Sequence, residues 1–532
     1  MTKSAIISVI LILLIVGIFL FFEFIPSLRV PILRGDEAKS GNTAICIIKN
    51  LATYGDIYIG KRHFPLGCNR HGVLDAYIQA PFICFGGNTL EALRIRPMII
   101  GVFIIIFTFF LGCRLFNPTV SIIASVLIAL NPFFRHFVKL GGFFGCSMPL
   151  IQIIAVWLFF KYHLTKKPRY FIVTAFVLGV GMNSKGYFIW FILAAFFTWL
   201  IIYFPRYRIK LSTFFLALLA FLLGALPVLY YYFKTNFFYK GMMHNVHRIY
   251  LGVNNSGILH NLSVTTHYFW RALTNNYVLD KKYFALPVFI FVGFVLFLVI
   301  RILTCRPTFF SRNRIIALLA LVVIVLINSS FTLTDNKLGH QIIMFPFVQM
   351  LISVSLWETI WFLRNIWLRL LFATILFVSI FCYYGKASLV EFQTAKRTLQ
   401  KINSSEDDQF IAQWLVSNSI YHIGVFFWQT SDIMKFYSGM KIDIKDYGHL
   451  YYGELYKIDT LHKQKVFMKI DNFLAKVKTK VFLLLPGKAG DTQEVYKYLV
   501  KRAEELQIPL KENRKFFRSR GKLARYELIQ IN

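Results

Sequence analysis

Two adjacent carboxylates follow the first long apolar stretch of the chain. Asp36 and Glu37 stand in the run Leu33-Arg34-Gly35-Asp36-Glu37-Ala38, just beyond an apolar segment at residues 4–25. A carboxylate at a membrane surface can act as a general base and remove a proton from a hydroxyl that attacks a sugar. Acidic residues also favour helix N-termini, so the pair could instead cap the helix that follows.

Basic residues between other apolar runs are the next candidates for chemistry. They are Arg70 and His71 in Asn69-Arg70-His71-Gly72, Lys185 in Asn183-Ser184-Lys185-Gly186, and Lys337 and His340 in Asp335-Asn336-Lys337-Leu338-Gly339-His340. Cations held in place before a reaction stabilise charge that develops on a leaving group. A lysine at such a position can also simply reach the lipid headgroups.

The surrounding sequence predicts a polytopic membrane protein. Of its 532 residues, 57% are hydrophobic and 16% are charged, which excludes a disordered chain. Apolar runs of about 20 residues span a bilayer as helices. We predict about eleven transmembrane helices, near residues 4–25, 97–115, 118–134, 147–162, 170–183, 186–204, 212–233, 284–303, 315–331, 341–362 and 366–385. The first of these has no small-residue cleavage site after it and is interpreted as an anchor.

The charge distribution predicts the orientation of these helices. The formal net charge is +34, and with a cytoplasmic N-terminus every short inner loop carries Lys or Arg, as inner loops usually do. This excess of cations suits anionic headgroups, or an anionic substrate such as a lipid phosphate. Two long loops, 26–96 and 234–283, then lie outside, together with all the candidate residues above.

The last part of the chain has a different composition. From residue 386 the sequence is polar and charged, with strand-like runs at Val425–Trp428, Val481–Leu485 and Tyr526–Ile531 between helical segments. We therefore divide the chain into a membrane module at 1–385 and a C-terminal α/β domain at 386–532. The odd number of spans places this domain outside the cytoplasm.

The motifs of the outer loops resemble the GT-C superfamily of membrane glycosyltransferases. Gly35-Asp36-Glu37-Ala38 after the first span, Tyr54-Gly55-Asp56, and the turn from Phe331 to Pro346 are similar to the branch of protein mannosyltransferases and aminoarabinose lipid A transferases. The resemblance implies a GT-C fold and a sugar donor linked to polyprenyl phosphate. Two departures stand out: no Pro-Pro follows His71, and Gly145-Cys146-Ser147-Met148-Pro149 contains no carboxylate.

The resemblance also implies roles for the candidate residues. In an inverting displacement Asp36 would be the general base, with Glu37 beside it, and Tyr54 and Asp56 would contact the acceptor or the sugar. The donor phosphate would be bound by a set of basic residues, namely Arg70, His71, Lys185, Lys337 and His340. The transfer would take place on the outer face of a bacterial inner membrane.

The sequence predicts no firm metal site. His244 and His247 are three residues apart but have no acidic or cysteine partner nearby, so a divalent metal stays an open cofactor. The expected partners are the polyprenyl-phosphate sugar, membrane lipids, and a glycolipid, glycan or protein acceptor. Nucleic acid is not expected, because the basic residues form no binding motif. An oligosaccharide ligase, a glycolipid transporter or flippase, and a noncatalytic relative remain alternatives.

Overall fold

The computed structural model describes the following parts of the chain. They are residues 3–24, 28, 33, 35–53, 56–68, 71–141, 146–204, 209–235, 258–273, 293, 296, 299–301, 310–330, 338–401, 404–425, 428–446, 481–486, 498, 500–506, 510–517 and 526–531.

Helices make up most of this described part. They are α1 (Lys3–Phe24), α2 (Gly35–Lys49), α3 (Leu74–Gly86), α4 (Leu90–Leu115), α5 (Pro118–Leu130), α6 (Pro132–Lys139), α7 (Ser147–Thr165), α8 (Pro168–Met182), α9 (Ile189–Thr198), α10 (Leu211–Lys234), α11 (Ile258–Leu273), α12 (Arg312–Ser330), α13 (Phe347–Phe362), α14 (Ile366–Lys401), α15 (Ser404–Ser417) and α16 (Trp428–Tyr437). Gly186–Phe188 and Leu338–Met344 form 3-10 helices, and Trp199–Tyr203 forms one turn of π-helix.

The strands are short in the first part of the chain and longer near its end. They are β1 (Ile57–Ile59), β2 (Arg62–Phe64), β3 (Gly67–Cys68), β4 (His71–Gly72), β5 (His422–Val425), β6 (Asp443–Asp446), β7 (Val481–Pro486), β8 (Leu510–Phe517) and β9 (Tyr526–Ile531). Two antiparallel pairs, β1 with β2 and β3 with β4, form ribbons between α2 and α3.

By length and composition, six described helices are able to cross a membrane. They are Ile6–Glu23, Leu90–Leu115, Ser147–Thr165, Gly186–Tyr203, Leu211–Lys234 and Arg312–Ser330. Three further predicted spans coincide with shorter apolar helices, at Pro168–Met182, Phe347–Phe362 and Ile366–Leu376. The span predicted at 284–303 lies almost entirely outside the described residues. The total of eleven spans therefore stays a prediction.

The span predicted at 118–134 is broken in the structure. Helices α5 and α6 meet at Asn131 with a bend of 62°. Asn131 precedes Pro132, and a residue before proline is pushed to an extended conformation, here with φ −74° and ψ 111°. The Asn131 side chain then accepts a hydrogen bond of 2.9 Å from the Phe134 amide and caps α6. One Asn-Pro pair thus ends one helix and begins the next.

Two glycines set the crossing of α8 and α10. A Cβ atom on Gly179 would lie 2.2 Å from the Phe221 carbonyl oxygen, and one on Gly224 would lie 2.4 Å from the Phe176 carbonyl oxygen. No real Cβ atom approaches so closely, so only glycine lets these backbones meet. Small residues are the usual means by which membrane helices pack closely.

The chain divides into two compact units. The first comprises Met1–Leu28, Ala52–Ile78 and Arg94–Ala395, and the second comprises Arg29–Leu51, Gln79–Leu93 and Lys396–Asn532. Helix α14 runs through residue 386 without a break. The division at 385 into a membrane module and an extracytoplasmic domain stays a prediction.

The second unit contains a five-stranded mixed sheet with the order β6-β5-β7-β9-β8. β5 is parallel to both β6 and β7, whereas β9 is antiparallel to β7 and β8. The strands predicted at Val481–Leu485 and Tyr526–Ile531 are present as β7 and β9. The strand predicted at Val425–Trp428 is displaced, because β5 ends at Val425 and α16 begins at Trp428.

Helix α2 packs on α16 within this second unit. Gly41 lies against the Phe436 ring, and a Cβ there would come within 2.5 Å of it. The Asn42 amide donates to the Asp432 carbonyl over 3.0 Å, and the Lys49 ammonium donates to the Gly439 carbonyl over 2.8 Å. The helix that carries the two predicted catalytic carboxylates is therefore held by the C-terminal part of the chain.

Candidate functional site

The first unit contains a buried carboxylate that accepts hydrogen bonds from several other buried polar side chains. Asp75, in the first turn of α3, is 4% exposed. Its Oδ1 accepts a hydrogen bond of 2.6 Å from Arg96 Nη1, while its Oδ2 accepts 2.6 Å from Ser184 Oγ and 3.1 Å from Ser147 Oγ. The two serine hydroxyls are 2.9 Å apart. With Cys146, these residues are called the Asp75 cluster below.

The turn after α8 brings Ser184 to this carboxylate. The Asn183 side chain donates to the Gly224 carbonyl over 2.7 Å and accepts from the Val228 amide over 3.0 Å, which fixes the turn to α10. The Leu74 amide donates to the Asn183 carbonyl over 3.0 Å, which fixes it to the start of α3. Hydrogen bonds to backbone groups of two helices thus position one short turn.

Gly72 permits this close approach. A Cβ at residue 72 would lie 2.0 Å from the Asn183 carbonyl oxygen, so no other residue type fits there without a shift of the backbone. The resemblance to GT-C proteins led to an expectation of Pro-Pro after His71. The contact between Gly72 and Asn183 explains why a proline is not accommodated at position 72 of this chain.

Cys146 and Ser147 stand where the resemblance led to an expectation of a carboxylate. The Cys146 thiol lies 3.7 Å from Asp75 Oδ1 and is fully buried. Burial raises the pKa of this thiol to about 12, and the Asp75 charge adds to the effect while Arg96 opposes it. The carboxylate beside Cys146 and Ser147 therefore comes from α3 and not from residues 145–149.

Lys185 and His340 come together around Tyr187. The Lys185 ammonium is 5.5 Å from the centre of the Tyr187 ring, and the ring centres of Tyr187 and His340 are 4.8 Å apart. The His340 ring also contacts the Trp190 ring, with centres 6.3 Å apart. Lys185 is 2% exposed, and it directly follows Ser184 of the Asp75 cluster. Residues from two turns that are far apart in the sequence thus contact the same tyrosine ring.

The Asp56 carboxylate contacts several residues of the segment between α2 and α3. Its carboxylate accepts hydrogen bonds from the amide and the hydroxyl of Thr53, and His63 Nδ1 lies 3.7 Å from it. The Lys234 ammonium donates to the Asp56 carbonyl over 2.5 Å. Burial and the charge of Asp56 raise the pKa of Tyr77 to about 12. These contacts assign Asp56 a structural task, and its predicted contact with an acceptor or sugar stays a prediction.

Comparison with known proteins identifies the fold. ArnT from Cupriavidus metallidurans, in its crystal structure bound to undecaprenyl phosphate, superimposes with a TM-score of 0.62 at 12% identity, over 99% of this chain and 98% of that chain. The oligosaccharyltransferase AglB from Archaeoglobus fulgidus, in complex with an inhibitory peptide and a dolichol-phosphate, gives a TM-score of 0.52 at 13% identity, over 99% of this chain and 74% of that chain. The chain has the GT-C fold.

The sequence comparisons agree with this fold. Residues 70–231 match the family model for dolichyl-phosphate-mannose-protein mannosyltransferase, a segment that contains Asp75, Ser184 and Lys185. No curated protein sequence matches the chain significantly. The resemblance and the helical membrane fold predicted from the sequence are confirmed.

The predicted site residues of this GT-C chain fall in both compact units. Asp36 and Glu37 lie in the first turn of α2, which belongs to the second unit. Acidic residues at this position stabilise the N-terminus of a helix. Glu37 is 2% exposed. The predicted site residues that the structure does not describe fully are Tyr54, Arg70 and Lys337, together with the side chains of Asp36 and His71. The structure brings together Lys185 and His340 from the predicted set.

Sequence reasoning missed most of the Asp75 cluster. Asp75, Arg96, Ser147 and Ser184 were not among the candidates, and neither was Tyr187. The available signal was an acid at the start of an apolar helix, together with hydroxyl residues at the ends of two others. Each of these features is also explained by ordinary helix capping, so none of them stood out alone.

Among the described residues, no three His, Cys, Asp or Glu side chains form a group able to hold a metal ion. The Asp75 carboxylate is paired with Arg96 and two hydroxyls, an arrangement that suits a structural anion better than a metal ligand. His244 and His247 lie outside the described residues.

Proposed function

We propose that this GT-C protein transfers a sugar from a polyprenyl-phosphate donor to an envelope acceptor on the outer face of the inner membrane. The acceptor is a glycolipid, a polysaccharide or a protein. In the proposed inverting displacement the acceptor attacks the anomeric carbon, the bond from that carbon to the phosphate oxygen breaks, and Asp36 takes the acceptor proton.

The meeting of Lys185 and His340 at Tyr187 is the observation that carries this proposal. The two residues come from different turns, and the sequence predicts both of them as contacts of the donor phosphate. Lys185 is 2% exposed, and a fixed positive charge at this place attracts and stabilises the phosphate of a lipid-linked donor.

The structural relatives support the same class of donor. The ArnT crystal structure contains bound undecaprenyl phosphate, and the AglB structure contains a dolichol-phosphate and an inhibitory peptide. Both lipids present a phosphate on a polyprenyl-type chain. We propose that the present chain binds such a lipid phosphate at Lys185 and His340, with Arg70, His71 and Lys337 as further contacts.

Binding of undecaprenyl phosphate to the purified protein tests the phosphate site. We expect Lys185→Ala and His340→Ala each to raise the dissociation constant about tenfold, which corresponds to the loss of one charge-assisted hydrogen bond. Lys161→Ala is a matched control, because that ammonium lies over the Trp157 and Tyr170 rings away from Tyr187. Equal affinity of all three variants and the wild type would refute this phosphate site.

A transporter or an oligosaccharide ligase would bind a similar lipid. A flippase changes the leaflet in which a glycolipid resides and leaves its mass unchanged. A ligase adds a preassembled glycan, whereas the proposed activity adds one sugar. The mass of the product in cells that express the wild type therefore separates these three functions.

A further inference from the structure

A large apolar cavity lies among the membrane helices of the first unit, away from the Asp75 cluster. Its volume is about 380 Å³, and it is lined by residues of α7, α8, α9, α10 and α12. Small side chains open this space, and five alanines line it, namely Ala155, Ala175, Ala195, Ala217 and Ala317. An engineered apolar cavity of about 150 Å³ is enough to bind benzene or xenon. A space more than twice as large therefore has room for a hydrocarbon chain.

The cavity is long enough for such a chain. Lining residues on α9 and its π-helical continuation run from Phe191 to Tyr203. At about 1.5 Å per residue this distance is about 18 Å. One leaflet contributes half of a hydrocarbon core that is about 30 Å thick. The cavity thus matches the depth of a single leaflet.

A cation marks one end of the cavity. Arg314, in the first turn of α12, lines it, donates a hydrogen bond of 2.8 Å to the Leu115 carbonyl, and lies 5.0 Å from the Phe160 ring centre. His163 is near the same end, with its ring centre 4.8 Å from that of Tyr203. A guanidinium offers five N–H donors, so Arg314 has donors left for a phosphate oxygen.

A buried hydroxyl lies deeper in the same cavity. Thr198 is 7% exposed and lines the cavity, and its Oγ1 has no hydrogen-bond partner among the described residues. It stands where α9 changes to the π-helix Trp199–Tyr203. Short π-helical turns are frequent at functional sites. A hydroxyl in hydrocarbon surroundings needs an acceptor such as an ester carbonyl.

We infer that this cavity binds one fatty-acyl chain of an anionic glycerophospholipid. The phosphate lies at Arg314, the ester carbonyl accepts from Thr198, and the chain extends toward Phe191. On the sidedness predicted from the basic loops, this lipid comes from the cytoplasmic leaflet, which is rich in anionic lipids. The site is independent of the proposed glycosyltransferase activity.

Native mass spectrometry of the detergent-purified protein tests this inference. Phosphatidylglycerol and phosphatidylcholine of identical chain length are titrated, and a phosphatidylglycerol with a photoactivatable group on its chain maps the contact. The wild type retains phosphatidylglycerol more tightly and is labelled on α9 or α10. Arg314→Gln lowers its affinity for phosphatidylglycerol by about tenfold and removes the preference over phosphatidylcholine.

Substitutions that fill the cavity test whether the acyl chain of the lipid lies in it. In the double variant Ala175→Leu/Ala195→Leu, α9 and α10 are no longer labelled and the protein no longer retains the lipid. Ala220→Leu is the matched control on α10, since Ala220 does not line the cavity, and it leaves both unchanged. Labelling that persists in the filled variant overturns the inference, and so does equal retention of the two lipids by the wild type.

Discussion

Ser184 donates a hydrogen bond of 2.6 Å to the Asp75 carboxylate, and the next residue in the chain is Lys185. Asp75 itself is fixed by Arg96, through hydrogen bonds of 2.6 Å to its carboxylate and 3.0 Å to its carbonyl. The position of the Lys185 ammonium near Tyr187 thus depends on a carboxylate more than one hundred residues earlier in the chain.

Loss of the contact between Ser184 and Asp75 should weaken lipid-phosphate binding. Ser184→Ala removes the hydrogen bond to Asp75 and releases the turn, so we expect affinity for undecaprenyl phosphate to fall about tenfold, as the loss of one hydrogen bond to a charged group implies. Ser353→Ala is the control, because Ser353 is also buried but bonds only within α13. Unchanged affinity of Ser184→Ala, with Lys185→Ala defective, would show that Asp75 does not position Lys185.

Gly72→Ala should destabilise the protein. The new Cβ would lie 2.0 Å from the Asn183 carbonyl oxygen, and neither backbone can move without breaking the turn. We expect a loss of about 3 kcal/mol in the free energy of unfolding, the upper range for an overpacked site. Gly17→Ala is the control in α1, where nothing lies within 4 Å of the added Cβ. Thermal unfolding in detergent measures both, and equal melting temperatures would contradict the contact.

The thiols of Cys84 and Cys146 should differ sharply in reactivity. Alkylation requires the thiolate, and at pH 8.5 a pKa of about 12 leaves Cys146 with a fraction of roughly one in several thousand. Cys146 is also fully buried, whereas Cys84 is exposed. We expect iodoacetamide to modify Cys84 in the folded protein and Cys146 only after unfolding, as peptide mass spectrometry will report. Equal rates for the two thiols would contradict the burial of the Asp75 cluster.

Arg135 should be essential to the stability of the first unit. It lies 3.3 Å from Glu23 and 2.6 Å from Glu391, and its side chain is 1% exposed. Arg135→Gln removes the cation that Glu391 and the buried Glu23 share, which costs about 3–5 kcal/mol of unfolding free energy. Arg502→Gln breaks an exposed pair with Glu505 and costs about 0–1 kcal/mol.

The cost of Arg135→Gln should depend on pH. Burial raises the pKa of Glu391, and Arg135 opposes this rise. A raised folded-state pKa stabilises the protein below the ordinary pKa and loses that contribution as the pH rises through the folded value. Without Arg135 the pKa of Glu391 in the folded protein rises further. The melting-temperature difference between variant and wild type should therefore be smaller at pH 4.5 than at pH 7.5, and a difference independent of pH would contradict the role of Glu391.

Local sequence patterns predicted much of the fold and only part of the site. Apolar length identified the helices, and strand-like runs identified β7 and β9, because both signals are local. Lys185 and His340 were predicted because they stand in turns between apolar segments, and the structure places both against the Tyr187 ring. Asp75 was not found, because its partners are 71 and 109 residues away. The packing of α2 on α16 joins residues separated by 390 positions, which no local pattern records.

The most direct test of the account compares the wild type with Asp36→Asn. Both are expressed at matched membrane levels in cells that lack the native protein, and envelope lipids and glycans are profiled by mass spectrometry. Asparagine keeps the shape of the side chain and cannot accept the acceptor proton. We predict that a mass increment of one sugar appears with the wild type and is absent with Asp36→Asn. A full profile of the modified product in the Asp36→Asn cells would contradict the assignment of Asp36 as the general base.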